Sequence, residues 1–258
     1  MSRFFIPPTA IHGKSFVLSG SEAHHALNVL RKKVGDEIDL FDGKDLSFRG
    51  RIESVASQEI RGSIVEDLPS KSLPIQLTLF QALTRGSKWE WLLEKACEVG
   101  VSKVVPLFTQ RTLIKLDAAQ AREKQKRWNR IALAASKQCG RSDLMAVDAP
   151  CPLSSAFSQL DKSQLSLIPW EKETGRSIHD ACKDYKGTTV NIFIGPEGGW
   201  DAQEIDLARQ DMIGVKFGRD RFFIDGNQSR QLLRERKMKP DNSTASLPSD
   251  TSQRIMKI

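Results

Sequence analysis

Cysteine is scarce in this chain and never paired: Cys97, Cys139, Cys151 and Cys182 are scattered, with no CxxC spacing. That excludes a zinc site built on close ligand pairs, and it excludes a disulfide framework. Isolated cysteines in apolar helical surroundings read as small core residues of a reducing compartment. No apolar run approaches the ~20 residues that a membrane-spanning helix needs. The opening Arg3-Phe4-Phe5-Ile6-Pro7-Pro8 is too short an apolar run for a signal peptide. The expectation is a cytoplasmic protein with no membrane partner and no metal. Internal repeats are lacking. So are a Gly-x-Gly-x-x-Gly fingerprint and a Gly-Lys-Ser/Thr, which removes the dinucleotide and P-loop readings of its glycine turns.

What is present is ordinary globular material with a basic bias. The 258 residues are 39% hydrophobic and 28% charged, enough for two modest domains with their own cores. Lys+Arg 39 against Asp+Glu 32 gives a formal charge of +7. Such a balance favours a polyanionic partner, although a basic surface by itself is no more than soluble.

The most informative stretch runs from Val190 to Glu204. Val190-Asn191-Ile192-Phe193-Ile194 reads as a buried strand. Gly195-Pro196-Glu197-Gly198-Gly199 breaks it, and Asp201 with Glu204 forms a capping box that opens a helix through Arg209. A buried strand, a glycine loop and a capped helix leave backbone N–H groups at one end of a sheet, where open α/β sheets bind ligands. Alone, the glycine loop reads more readily as an ordinary strand-to-helix turn whose glycines merely relieve strain.

Elsewhere the period of the apolar residues divides the chain. Ser19 to Lys33 is helical, with a Ser19/Glu22 capping box and Ala23, Ala26, Leu27 and Leu30 on one face. Around it lie alternating strand segments at residues 37–41, 46–54 and 59–65, with a hairpin signal at Asp42-Gly43. Residues 1–72 thus read as a small β-rich barrel, ending in a linker at Pro69 to Pro74. From Ile75, strands alternate with helices: a strand to Ala82, a helix opened by Ser87 and Glu90 and closed by Gly100, a strand at 101–108, and a helix at 123–139. Weaker units follow up to the strand at 214–217. That alternation predicts a largely parallel, covered sheet in residues 73–218. Residues 219–258 are rich in Arg, Lys, Gln, Ser, Asp and Pro, and read as a divergent basic tail, largely disordered.

Several spaced motifs together resemble one family, the RsmE-type 16S ribosomal RNA uridine-N3 methyltransferases of the SPOUT superfamily. They are Arg3-Phe4-Phe5-Ile6-Pro7, then His24 with Val29-Leu30-Arg31 and Gly35-Asp36, then Lys88-Trp89 with Glu94-Lys95-Ala96-Cys97-Glu98-Val99-Gly100-Val101. Pro106, Arg111, Arg127-Trp128, Ile131, Gln138 and Gly140-Arg141 follow, and Ile194 to Trp200 completes the set. The resemblance runs from Arg3 to Gly218. It implies an α/β, SPOUT-type (α/β-knot) methyltransferase domain preceded by a small PUA-like β-barrel domain. It implies S-adenosyl-L-methionine as methyl donor, ribosomal RNA or the small ribosomal subunit as partner, a trefoil knot and a homodimer. After Phe217-Gly218 the chain departs from the family pattern: Arg219 to Asn227 fits poorly and no apolar helix follows.

By this resemblance the donor-contacting residues are Gly195, Glu197, Gly198, Gly199, Phe217 and Gly218. Glycines admit close approach of a ligand to backbone, and Glu197 has a competing role at the helix N-terminus. Arg3, His24, Arg31, Arg111, Arg127 and Arg141 are the candidate RNA contacts, since arginine's planar fork pairs with phosphate and stacks on bases. A solvated charge is the alternative for each arginine, and a core or capping role for His24. Trp89, Trp91 and Trp128 read as core or dimer packing. No residue stands out as a general base. Two competing functions remain: a non-catalytic RNA-binding protein whose donor pocket was lost with the altered C-terminus, and ribose 2′-hydroxyl methylation, which the first domain disfavours.

Overall fold

A computed structural model of the chain describes residues 3–69 and 73–216. The chain divides into two compact units. One comprises residues up to Pro74 with Asn129–Ala146; the other comprises Ile75–Trp128 and the residues from Val147 on. The division inferred from composition thus differs at 129–146, which group with the first unit. Periodicity does not reveal this, because those residues begin inside an unbroken helix, Ala118–Cys139.

In the first unit, six strands form one sheet in the order β1-β4-β5-β6-β3-β2: β1 (Arg3–Phe5), β2 (Ile11–His12), β3 (Ser15–Leu18), β4 (Glu37–Phe41), β5 (Ser47–Ala56) and β6 (Glu59–Leu68). All pairings are antiparallel except β1 with β4. Phe4, Ile6, Phe16, Leu18, Ile38, Leu40, Phe48, Ile52 and Ile60 fill the core, as the alternation of the strands requires. Glycine has a packing role here. A Cβ at Gly50 would lie 2.4 Å from the Phe16 ring, and one at Gly62 would lie 2.1 Å from the Arg51 carbonyl oxygen. The phenyl ring of Phe16 therefore occupies space that side chains on β5 and β6 would otherwise fill.

Two local expectations shift. The helix expected over residues 19–33 is a short α1 (Gly20–His24) that widens into a π turn at His25–Val29; Arg31, at φ 53°, ends it. Ser19 makes no side-chain cap. Glu22 instead accepts from the Phe5 N–H at 3.2 Å and from Lys137 Nζ at 2.9 Å, so a distant β1 amide outcompetes the local cap. After Phe41, the turn to β5 takes five residues rather than a two-residue hairpin loop, and Asp42 Oδ1 accepts from the N–H groups of Lys44 and Leu46.

The second unit contains β7 (Gln76–Ala82), α2 (Ser87–Glu98), β8 (Lys103–Phe108), the first half of α3 (Ala118–Cys139) and, past β9 (Ala146–Val147), β10 (Cys151–Pro152), α4 (Leu153–Ser158) and β11 (Leu165–Pro169). It ends with α5 (Ile178–Cys182), β12 (Thr189–Ile194), α6 (Ala202–Ala208) and β13 (Ile213–Val215). The sheet order is β10-β8-β7-β12-β11-β13, and every pairing along it is parallel. Buried on both faces, β12 reads as a continuous apolar run, with Phe193 stacked on Phe80 at 4.2 Å between centroids. Its one buried amide is satisfied: Asn191 Nδ2 donates to Gln164 Oε1 and Ser166 Oγ, each at 3.1 Å. Helix α2 begins without a Ser87 side-chain cap, Gly86 occupying the cap position. Its Trp89 packs on Trp128 at 5.2 Å, whereas Trp91 is partly exposed.

A Gly62→Ala substitution tests the packing around Phe16. The new methyl meets a backbone oxygen that cannot move aside cheaply, so a loss of about 3 kcal/mol in urea-denaturation stability is expected, at the upper end of the usual overpacking cost. A loss below ~0.5 kcal/mol would show that the sheet yields at this point.

Candidate functional site

Parallel pairing decides where chemistry can gather. Because β12 pairs with β11, and β11 with β13, the carboxyl ends of three neighbouring strands lie side by side. The loops leaving β11 and β12 begin at Trp170 and Gly195, and β13 ends at Val215. Ligands of open parallel sheets sit outside this edge.

The glycine loop is held at both ends. Trp200 is buried; its Nε1–H donates to the Pro169 carbonyl at 3.2 Å, fastening the β12 loop to the end of β11. Its indole lies on Gly195, where a Cβ would be 3.0 Å from Cε2. Gly199, at φ +72°, turns the chain back, with its N–H donating to the Pro196 carbonyl at 2.9 Å. The expected capping box is present at α6: Asp201 accepts from the Gln203 N–H at 3.1 Å, and Glu204 Oε2 accepts from the Asp201 N–H at 3.0 Å. Glu204 does more than cap. Only 5% exposed, its other oxygen accepts from the Gln110 N–H at 2.8 Å, in the loop after β8.

Between these anchors, Glu197 and Gly198 are exposed. Gly195, Gly198 and Gly199 present bare backbone at the carboxyl edge, with Glu171 facing Gly199: a Cβ there would be 3.2 Å from Glu171 Oε1. Phe217 and Gly218, the remaining expected donor contacts, lie outside the described residues, as do residues 219–258.

The segment after β11 is a contributor that periodicity missed. Trp170 N–H donates to the Val215 carbonyl at 3.1 Å, and Lys216 N–H donates to the Arg176 carbonyl at 2.7 Å, closing residues 170–176 onto β13. Glu173, Gly175, Arg176, Asp180 and Gly214 line an open depression of about 450 Å³ there. Only the sheet order makes these residues neighbours of β13. A trace was visible in the sequence all the same: a buried strand that ends in Pro169-Trp170 and runs straight into acidic residues.

The six candidate RNA contacts fall into different settings. Arg3 and Arg141 come together in the first unit, where Arg3 Nη1 donates to the Arg141 carbonyl at 2.8 Å and Nη2 to Ser47 Oγ at 2.7 Å. Burial pushes the Arg3 guanidinium below its ordinary pKa, against the pull of Asp39. Arg141 is 7% exposed and ion-paired with Asp143. Both guanidiniums are thus engaged inside the fold. His24 and Arg31 are exposed on the α1–π segment. Arg127 is exposed and pairs with Glu90 at 2.7 Å. Arg111 reaches the glycine loop, its Nη1 donating to the Gly198 carbonyl at 2.8 Å. Among the described residues, no group of three or more His, Cys, Asp or Glu could hold a metal ion, and no helix is long and apolar enough to cross a membrane.

Replacing Trp200 with Phe keeps an aromatic ring, though a smaller one, and removes the N–H that bonds to Pro169. About 0.5–1.5 kcal/mol of stability is expected to go, with faster amide hydrogen exchange at 195–200; unchanged exchange would show that the ring alone fixes the loop. Beside the depression, the Ser177 hydroxyl and N–H both donate to Asp180 and hold its carboxyl below the usual carboxylate range. This cap therefore supports α5 above the ordinary value of ~3.9 and is lost as pH falls through the lower folded-state value. In an NMR pH titration, the Asp180 midpoint should lie below ~3.9 and rise part of the way back in Ser177→Ala, which removes the hydroxyl but keeps the N–H bond.

Comparison with known proteins agrees with this architecture. The RNA methyltransferase domain model matches residues 71–221, and the RNA methyltransferase PUA domain model matches residues 18–65. A ribosomal RNA small subunit methyltransferase E from Bacillus subtilis is 28% identical over 228 residues, covering 84% of this chain and 89% of its own. A Legionella pneumophila protein described as a methyltransferase, solved in complex with the bound cofactor SAM, is 26% identical at a TM-score of 0.74, covering 91% of this chain and 97% of that one. The ribosomal RNA small subunit methyltransferase E from Neisseria gonorrhoeae, bound to S-adenosyl methionine, shares the fold at a TM-score of 0.76 with 23% identity, covering 92% and 97%. With its domain model matching more than half of the chain, the protein belongs to the RNA methyltransferase domain family, as an RsmE-type member that carries an RNA methyltransferase PUA domain before its α/β domain.

Proposed function

We propose that the protein methylates N3 of a specific uridine in 16S ribosomal RNA, with S-adenosyl-L-methionine as donor. The observation that carries this reading is the glycine loop, whose bare backbone at Gly195, Gly198 and Gly199 is anchored by Trp200 and Glu204 at the carboxyl edge of a parallel sheet. The residues present fit the donor. Gly198 has no atom nearer than 3.7 Å to where a Cβ would stand, so backbone is open to close approach. Gly195, Glu197, Gly198 and Gly199 would hold it, joined by Phe217 and Gly218, with the segment after β11 closing the other side.

When bound, the donor supplies a methyl group made electrophilic by its sulfonium. The protein's part is to align the nucleophile and favour loss of the N3 proton. Alignment converts a bimolecular encounter into an oriented one, and cationic side chains at the edge favour the anionic base. N3 is buried in a base pair, so the uridine must be unpaired or flipped out. Exposed His24 and Arg31 of the first unit, with Arg127 of the second, are the proposed RNA contacts. Homodimerisation and a cytoplasmic setting belong to the same reading, as they do to the resemblance that prompted it.

The test is methylation of small-subunit ribosomal RNA, free and assembled, followed by nucleoside analysis. N3-methyluridine is expected. A 2′-O-methylated nucleoside would replace the reading with ribose chemistry, and RNA binding without any methylated product would make the protein a non-catalytic binder. Phosphate contacts release counterions, so RNA affinity should fall as salt rises; affinity indifferent to salt would contradict the assignment of basic side chains to the RNA.

A further inference from the structure

Resting on the donor site proposed above, we infer that Arg111 is a positioning residue: its guanidinium, seated on the Gly198 carbonyl and the Asp201 carboxylate, holds the glycine loop in the shape that receives the donor. The two contacts are 2.8 Å from Nη1 to the Gly198 oxygen and 3.4 Å from Nη2 to Asp201 Oδ2. They add to the Gly199 N–H bond to Pro196 in holding the exposed part of the loop. Gly195 is pinned under Trp200, and Asp201 is fixed by its capping box with Glu204. Gly198 and Gly199 stand between, and two consecutive glycines have more backbone freedom to lose than any other pair. An arginine that accepts none of its own hydrogens back can satisfy a carbonyl and a carboxylate together, because its donors form a planar fork.

The root of Arg111 is itself rigid. Thr109 N–H donates to Thr112 Oγ1 at 3.0 Å, and Thr112 N–H donates to the Thr109 carbonyl at 3.1 Å, closing a turn around residues 110 and 111. Gln110 N–H is tied to buried Glu204 at 2.8 Å, and Gln110 Nε2 reaches Gln203 Oε1 at 3.3 Å. The loop after β8 and the start of α6 are therefore joined immediately before Arg111, at Gln110. This arrangement gives the arginine a role different from phosphate contact, and the two roles differ in what lysine can replace. Lysine restores a positive charge for RNA, but as a point charge it does not reproduce the two-armed seat on the loop.

Arg111→Ala and Arg111→Lys are compared with the full-length wild type in three measurements: calorimetry with S-adenosylmethionine alone, RNA affinity, and amide hydrogen exchange at residues 196–200. The expected result is that both variants bind S-adenosylmethionine about tenfold more weakly, the loss typical of a charged hydrogen bond. Exchange in the loop rises in both, while Arg111→Lys keeps RNA affinity within about twofold of wild type, as a retained charge predicts. A merely structural defect would lower the melting temperature without separating donor from RNA affinity. The inference is overturned if Arg111→Lys matches wild type in donor affinity and loop exchange. Wild type that binds no S-adenosylmethionine would instead remove the function proposed above, and loop exchange would then decide for or against the clamp by itself.

Discussion

Trp200 holds together what parallel pairing only brings near. Its indole N–H reaches the last carbonyl of β11 while its ring covers Gly195 at the end of β12. A smaller residue would release the loop; a side chain at Gly195 would displace the ring. The strand end, the glycine and the tryptophan are therefore one device, and the backbone offered at Gly198 and Gly199 keeps its place because that device is closed. The ring also packs within the core cluster of Phe80, Phe193 and Ile205, so the loop inherits the rigidity of the sheet.

Some of the charge is used inside the protein. Glu204 sits buried yet satisfied, its two oxygens taking backbone N–H groups from two loops, which is the condition for burying a carboxylate at tolerable cost. Arg3 and Arg141 spend their donors on Ser47, a carbonyl and Asp143, and Lys137 answers Glu22. These side chains are therefore engaged within the protein rather than offered to a nucleic acid. Of the candidate RNA contacts in the first unit, the exposed two, His24 and Arg31, lie where the helix widens into a π turn and reverses, a local irregularity of the kind often found at functional sites.

Much of this was legible in the sequence, and the losses have physical reasons. The strand–glycine–helix unit at 190–209 could be read because its signals are local: an apolar run, three glycines and a capping box whose members are three residues apart. Ser19 and Ser87 carried the same capping signal, and neither caps; for Ser19 the reason is tertiary, since Glu22 is drawn to the Phe5 amide. The role of Arg3 was hidden because its partners lie far along the chain, Ser47 at 44 residues and Arg141 at 138, and that of Arg141 because its burial is set by the fold. The segment 170–176 was missed because it becomes part of the edge only through the sheet order β12-β11-β13.

The central claim is that the backbone of the glycine loop is the cradle of the methyl donor. Backbone amide NMR during titration with S-adenosylmethionine tests it most directly. The account expects the largest shifts at Gly195, Gly198 and Gly199, with smaller ones at Trp170 and Glu171 across the β11 loop. Saturable binding that leaves those amides unmoved and shifts residues elsewhere would contradict it.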